Sequence, residues 1–217
     1  MSSPVADAVI GYVTGGWERT EFSSSVLAVC MEGKTQIRTV VKLISGPNIS
    51  TSRNLVVRDF LDGNLAPWLF MADTDMVFPP DTVDRLIAAA DPAERPVVGA
   101  LCWSLAQGER FPTMYELVKC PDGELAFRRY KDWPQDTVMQ VSATGAACLL
   151  IHRDVLLEVE KTSKDPAAPW FRESAVGGKL SLMGEDMTFC LRCAAAGIPV
   201  HVHTGVRAGH MKTTMLI

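Results

Sequence analysis

Residues Trp68-Leu69-Phe70-Met71-Ala72 form an unbroken apolar run that stops abruptly on Asp73-Thr74-Asp75. A short apolar run bounded in this way reads as a buried strand. Pro79-Pro80-Asp81-Thr82 opens a helix directly after it. In an open α/β sheet, ligands bind outside the carboxyl ends of the strands, and this strand delivers two acids to that edge. Hard carboxylate oxygens at i and i+2, with a hydroxyl between them, suit a divalent cation that itself neutralises a diphosphate. The spacing alone arises often by chance. Its place at the end of a hydrophobic strand is what gives it weight.

The flanking sequence alternates strand-like and helix-like segments, which predicts an α/β fold with a mainly parallel sheet. Ala8 to Val13 reads as a strand ending at Thr14-Gly15-Gly16, and Phe22 to Glu32 as a helix with Phe22, Val26, Val29 and Cys30 on one face. Thr39 to Ile44 is a second strand, running into Ser45-Gly46-Pro47-Asn48. Ser50-Thr51-Ser52 is expected to cap a helix through Arg53 to about Leu61. Beyond the aspartates, Val97 to Trp103 reads as a strand. Met114 to Val118 and Leu125 to Tyr130 flank Pro121-Asp122-Gly123 as a hairpin, and Val138 to Ser142 is a further strand. Thr144-Gly145-Ala146 leads an apolar run to Ile151, and a helix follows from Asp154. Gly177-Gly178 breaks structure ahead of a helix from Gly184-Glu185-Asp186 to about Ala196, ended by Gly197. Val200 to Val202 is strand-like, and the tail from Thr204 has no strong period.

A chain of 217 residues without a linker fits one domain. Its 47% hydrophobic and 21% charged content is that of an ordinary globular protein. The net charge of -4 argues against a broad electrostatic grip on nucleic acid or on an anionic membrane. No apolar run approaches the ~20 residues that span a bilayer, and Met1 to Asp7 lacks the pattern of a signal peptide. A cytoplasmic location is expected. The six cysteines sit among apolar neighbours and read as reduced, buried thiols. Cys190 and Cys193 with His201 and His203 resemble a zinc set only superficially, because they fall within a helical and a strand-like pattern rather than on knuckles.

Three further features carry chemistry. Glu185 and Asp186 are acids at a helix start, where the macrodipole favours carboxylates in any case. His210 and Lys212 lie near the end of the chain. Arg53 opens the helix before the aspartate strand, where it could meet a phosphate. The order of these parts (strand, turn, Arg on a helix, strand to DTD, hairpin, Thr-Gly-Ala, Gly-Glu-Asp helix, late His) resembles the GT-A glycosyltransferases, most closely the family 2-like members. The resemblance covers Ala8 to about Lys212. Its most specific blocks are Leu69 to Pro80 and Gly184 to Val202.

That resemblance implies a single GT-A catalytic domain over 1–217, with a nucleotide-sugar-binding half at about 8–100. An acceptor-side half at about 101–217 would carry a metal-binding C-terminal segment. It implies that Asp75 and His210 bind Mn²⁺ or Mg²⁺, with Asp73 beside the metal or the ribose. Thr14, Ser45, Arg53, Thr74 and Lys212 fall at donor positions. Asp186 would be the general base of an inverting enzyme and Glu185 its orienting partner. The donor would be a UDP- or GDP-linked sugar. The acid that the family often carries near Ser45 is missing from Ser45-Gly46-Pro47-Asn48, so the base is left open. On the acceptor side, Trp103 could stack on a sugar, and Gly145 allows close backbone approach. Phe127 to Trp133 mixes cations and aromatics. It reads as a charged hairpin edge, although the same composition would suit a nucleic-acid acceptor. Minimal enzymes of this kind occur in bacteria and phages, which would place the chain in a host cytoplasm if it is phage-encoded.

Other readings stay open. A retaining transferase uses the same fold, and only the distance of Asp186 from the anomeric carbon separates the two. A nucleotidyltransferase would carry a Gly-rich basic loop after the first strand, where this chain has Thr14-Gly15-Gly16-Trp17-Glu18-Arg19. A non-catalytic sugar-binding module would not need Glu185 and Asp186.

Overall fold

The computed structural model describes residues 7–46, 48–63, 65–106, 108–121, 123–175 and 182–212. The expected break at Gly177-Gly178 lies outside them. A seven-stranded sheet forms the centre, ordered Val138–Val141, Val200–Arg207, Val97–Leu101, Cys148–His152, Trp68–Asp73, Asp7–Thr14, Gln36–Ile44. Cys148–His152 and Val138–Val141 run against the other strands, and the remaining pairings are parallel. The fold is α/β with a mainly parallel mixed sheet, as the alternation of segments predicts.

The unbroken apolar run at Trp68–Asp73 has a direct cause. Both faces of the sheet are covered, so no position along a central strand is left for a polar residue. Leu69 and Met71 point into one core with Val9, Val56, Val57, Phe60, Leu149, Leu156 and Phe189. Phe70 and Ala72 point into the other, with Ile10, Phe22, Val29, Leu86 and Leu150. Helices Thr20–Glu32 and Thr82–Ala89 therefore cover one face, and Ile49–Gly63, Arg153–Thr162 and Glu185–Ala195 the other. Gln36–Ile44, at the edge of the sheet, alternates and is largely exposed.

Several expectations need correction in detail. The Ile49–Gly63 helix is capped by Asn48, whose Oδ1 accepts from the Thr51 N–H, rather than by the serines that follow. Cys30 is exposed and Cys120 half-buried, so the thiols are not uniformly buried. The strand expected to continue to Trp103 stops at Leu101, and Trp103–Ala106 instead pairs with Glu109–Pro112 as a separate hairpin. The C-terminal part is more ordered than its weak period implied. Val200 continues as strand to Arg207, and Gly209–His210 pairs antiparallel with Met76–Val77. Gly197 adopts φ +72 just after the Glu185–Ala195 helix, the left-handed residue expected at such an end.

Candidate active site

Thr14, Ser45, Asp73 and the turn leading to Trp103 all fall at the carboxyl ends of neighbouring sheet strands. The antiparallel strand Cys148–His152 begins at this same edge. Its lead-in delivers Gly145, and the Asp73 N–H donates to the Ala147 carbonyl at 3.0 Å. Thr14 is buried and its hydroxyl donates to the Trp17 carbonyl at 2.8 Å. The Ser45 N–H donates to the Thr14 carbonyl at 2.7 Å, which ties the two strand ends together.

One cluster gathers on Asp75. His210 Nε2 lies 2.8 Å from Asp75 Oδ2, and Lys212 Nζ donates to the same oxygen at 3.1 Å. The Met211 N–H donates to the Asp75 carbonyl at 2.8 Å, so the C-terminal segment is fastened along the turn after the aspartate strand. His210 Nδ1 lies 2.7 Å from the Trp103 carbonyl, which orients the ring. Hydrogen bonding to His210 and then Lys212 outweighs burial and holds the Asp75 carboxyl down at about 2. The bond to Asp75 raises the His210 imidazole above its ordinary value.

A second cluster is built on Arg53, which is buried at 5% exposure. It donates to Asp73 Oδ1 at 2.6 Å and, through its other amino nitrogen, to Glu185. Its guanidinium carbon lies 5.9 Å from the centroid of the Phe171 ring. A buried guanidinium without carboxylate partners would be very costly, and these two partners hold it firmly in the charged form. Arg53 thus reaches the carboxyl edge of the sheet through Asp73. Asp186 follows Glu185 on the same helix, and the Met187 N–H donates to its Oδ1 at 2.8 Å. Burial pushes the Asp186 carboxyl up, against the pull of Arg53. A Cβ on Gly145 would stand 3.5 Å from Asp186 Oδ2, so the glycine leaves the carboxylate open on that side.

The sequence-predicted residues therefore fall into two groups joined through Asp73-Thr74-Asp75. Asp75, His210, Lys212 and Trp103 form one group, and Arg53, Asp73, Glu185, Asp186 and Gly145 the other. Thr74 occupies the turn between the two acids. Asp73 meets Arg53 rather than His210. Cys190 and Cys193 are core residues whose thiols burial raises strongly. Among the described residues, no group of three or more His, Cys, Asp or Glu side chains is placed to hold a metal ion.

Sequence reasoning missed two neighbours. Arg110 lies over the Trp103 ring, 4.6 Å from its centroid. Tyr115 is half-buried, and its hydroxyl is raised first by burial and then by Asp186. The turn residue Gly108, at φ +81, was the available signal for the hairpin that brings Arg110 back. The basic and aromatic segment lies on and just after the second strand of the second hairpin, with Phe127, Tyr130 and Trp133 half-buried and its cations exposed. Arg128 pairs with Glu116, Arg129 lies over Phe111, and Trp133 packs on Trp103.

Trp103, Ser104, Leu105, Arg110, His210 and Lys212 enclose a pocket of about 280 Å³. Two larger hollows, of about 590 and 580 Å³, lie on the Val138–Gln140 side and contain none of the site residues. Size is a poor guide here, because the convergent charged groups surround the smallest of the three.

No family model matches the chain, and no curated protein matches it by sequence. Solved structures do. A structure of GalNAc-T7 with UDP, GalNAc and Mn²⁺, a GT-A glycosyltransferase, superposes with a TM-score of 0.63 at 10% identity. The match covers 97% of this chain and 44% of that one. The fold is GT-A. A197 from STIV is similar at a TM-score of 0.61 and 15% identity, over 95% of this chain and 86% of A197. At these identities the GT-A likeness speaks to the fold alone. No helix among the described residues is long and apolar enough to cross a membrane.

Proposed function

We propose that this chain is a glycosyltransferase that moves a sugar from a nucleoside diphosphate to an acceptor hydroxyl, with inversion and with Asp186 as general base. The observation that carries the reading is the meeting of Asp75 with His210 and Lys212 at the carboxyl edge of the sheet. Two ligands held about 2.1 Å from one ion in adjacent positions stand roughly 3 Å apart. The 2.8 Å between His210 Nε2 and Asp75 Oδ2 fits that requirement with little movement. Two protein ligands leave the remaining positions to diphosphate oxygens and water, the usual arrangement for a cation bound together with a phosphate substrate. The imidazole favours Mn²⁺ over Mg²⁺. When bound, the ion supplies Lewis-acid stabilisation of the charge on the departing diphosphate.

The chain's own residues account for the rest. Lys212 adds positive charge on the same side, within reach of the diphosphate. Asp186 accepts the proton of the acceptor hydroxyl, and its burial makes it a stronger base than an aspartate in water. Arg53 holds Glu185 and Asp73 in place, so the acid-bearing helix keeps its position against the donor edge. The donor is a UDP- or GDP-linked sugar, and the acceptor a glycan, a protein or a modified base. The test is a thermal-shift and hydrolysis screen of nucleotide sugars with and without Mn²⁺. Metal-dependent stabilisation by one donor, lost in Asp75→Ala, is the expected result. An Asp186→Asn variant that still transfers sugar at the wild-type rate would overturn the assignment of the base.

A further inference from the structure

We propose that the pocket of about 280 Å³ beside His210 receives an acceptor that carries a phosphate group, recognised by Arg110 lying across Trp103. The inference rests on the transferase reading and adds the chemical class of the acceptor.

The pocket wall follows from the register of the Trp103–Ala106 and Glu109–Pro112 hairpin. Leu105 faces Arg110, and Trp103 faces Pro112. Side chains alternate across a strand, so Trp103, Leu105 and Arg110 share one face while Glu109 turns to the other. Arg38, Arg53, Arg58, Arg85, Arg128 and Arg172 each meet a carboxylate. Arg110 meets an indole instead. A guanidinium stacked on an aromatic ring keeps its N–H edge free for a planar or tetrahedral anion.

The lining contains no acid. It brings together Arg110, Lys212 and His210 beside the Trp103 ring. In the transferase reading, His210 and Lys212 serve Asp75 and the donor diphosphate. Arg110, on the second strand of the hairpin, has no such task and remains for a second anion. A neutral glycan would need only the Trp103 face. A guanidinium fork pairs with two phosphate oxygens at once, and the phosphate dianion draws it more strongly than the single charge of a carboxylate. The volume lies at the low end of ligand pockets, which run from ~300 to 1,000 Å³, so one phosphorylated unit of the acceptor fills it.

The probes are glycerol 3-phosphate, glycerate and glycerol, titrated into protein labelled with ¹⁵N-tryptophan. The Trp103 indole N–H is assigned through Trp103→Phe. Glycerol 3-phosphate is expected to move that resonance, with affinity at least tenfold weaker in Arg110→Met and partly retained in Arg110→Lys, while glycerol is silent. Equal affinity for glycerate or glycerol, or no loss in Arg110→Met, overturns the proposal. Arg110 is exposed, and thermal unfolding of each variant verifies its fold. Mn²⁺-dependent donor hydrolysis by the wild type is measured in parallel. If it is absent the transferase reading fails, and the acceptor role with it. If it is present and the titration fails, only the phosphate inference falls.

Discussion

His210 Nε2 stands 2.8 Å from Asp75 Oδ2, although 135 positions separate the two residues. The pairing is enforced by backbone. Gly209–His210 adds a short antiparallel ladder to Met76–Val77, and Met211 donates to the Asp75 carbonyl. Mn²⁺ at about 100 times its Kd is expected to stabilise the folded protein by ~2.7 kcal/mol. In Asp75→Ala and His210→Ala that gain is lost while the fold persists, as read by thermal unfolding with and without metal and UDP.

Arg53 carries the second prediction. Arg53→Met keeps much of the volume against Phe171 but leaves Asp73 and Glu185 without their cation. Removing one partner of a buried ion pair costs about 3 kcal/mol or more. At about 2–4 °C per kcal/mol for a chain of this size, the melting temperature should fall by about 6–12 °C. Double-mutant cycles with Glu185→Gln give the coupling between the two positions.

Asp186 predicts opposite effects on stability and activity. Its carboxyl is raised by burial, so the folded protein holds that proton to a higher pH than the unfolded chain, where an aspartate titrates near ~3.9. For such a group the stabilising contribution is full below the unfolded pKa and is lost as pH rises through the folded one. Asp186→Asn should therefore melt higher than wild type at pH 7 while transferring no sugar. The acid limb of wild-type kcat/KM should lie above pH ~3.9. A melting temperature unchanged by Asp186→Asn would contradict the burial argument.

Gly145→Ala separates folding from catalysis. The added methyl would meet Asp186 Oδ2 at 3.5 Å and Thr113 at 3.6 Å, ordinary contact distances. Unfolding should change little. Transfer to the acceptor should drop about 10- to 100-fold, since small displacements of reacting groups have effects of that size. Donor hydrolysis measured on the same variant locates the loss on the acceptor side.

The parts legible in the sequence were those set by local pattern. The apolar run into Asp73 located a central strand, and the Gly184-Glu185-Asp186 start located its helix. Asp75 with His210 was reached through the order of motifs, because no spacing rule links residues so far apart, and the closeness of Gly145 to Asp186 emerged only from the packed fold. Arg53 illustrates the limit. Its type and helix position were readable, but its two carboxylate partners lie 20 and 132 residues away and only the packed fold joins them. Trp103 and Arg110 were obscured for another reason. Leu101 and Trp103 looked continuous, while the chain turns between them and starts a new hairpin.

The reversed strand Cys148–His152 lies between Trp68–Asp73 and Val97–Leu101 and bonds to both. Two strands that follow one another in the chain are thus held apart until a third arrives from some fifty residues later. During synthesis from the N-terminus, the sheet stays open at its centre until residue 152 has been made, and contacts of that separation form slowly. A fragment ending near residue 100 would expose the bare edge of its most apolar strand, an invitation to aggregate. The carboxyl edge of the sheet that carries Asp73 is therefore completed only by chain made well after it.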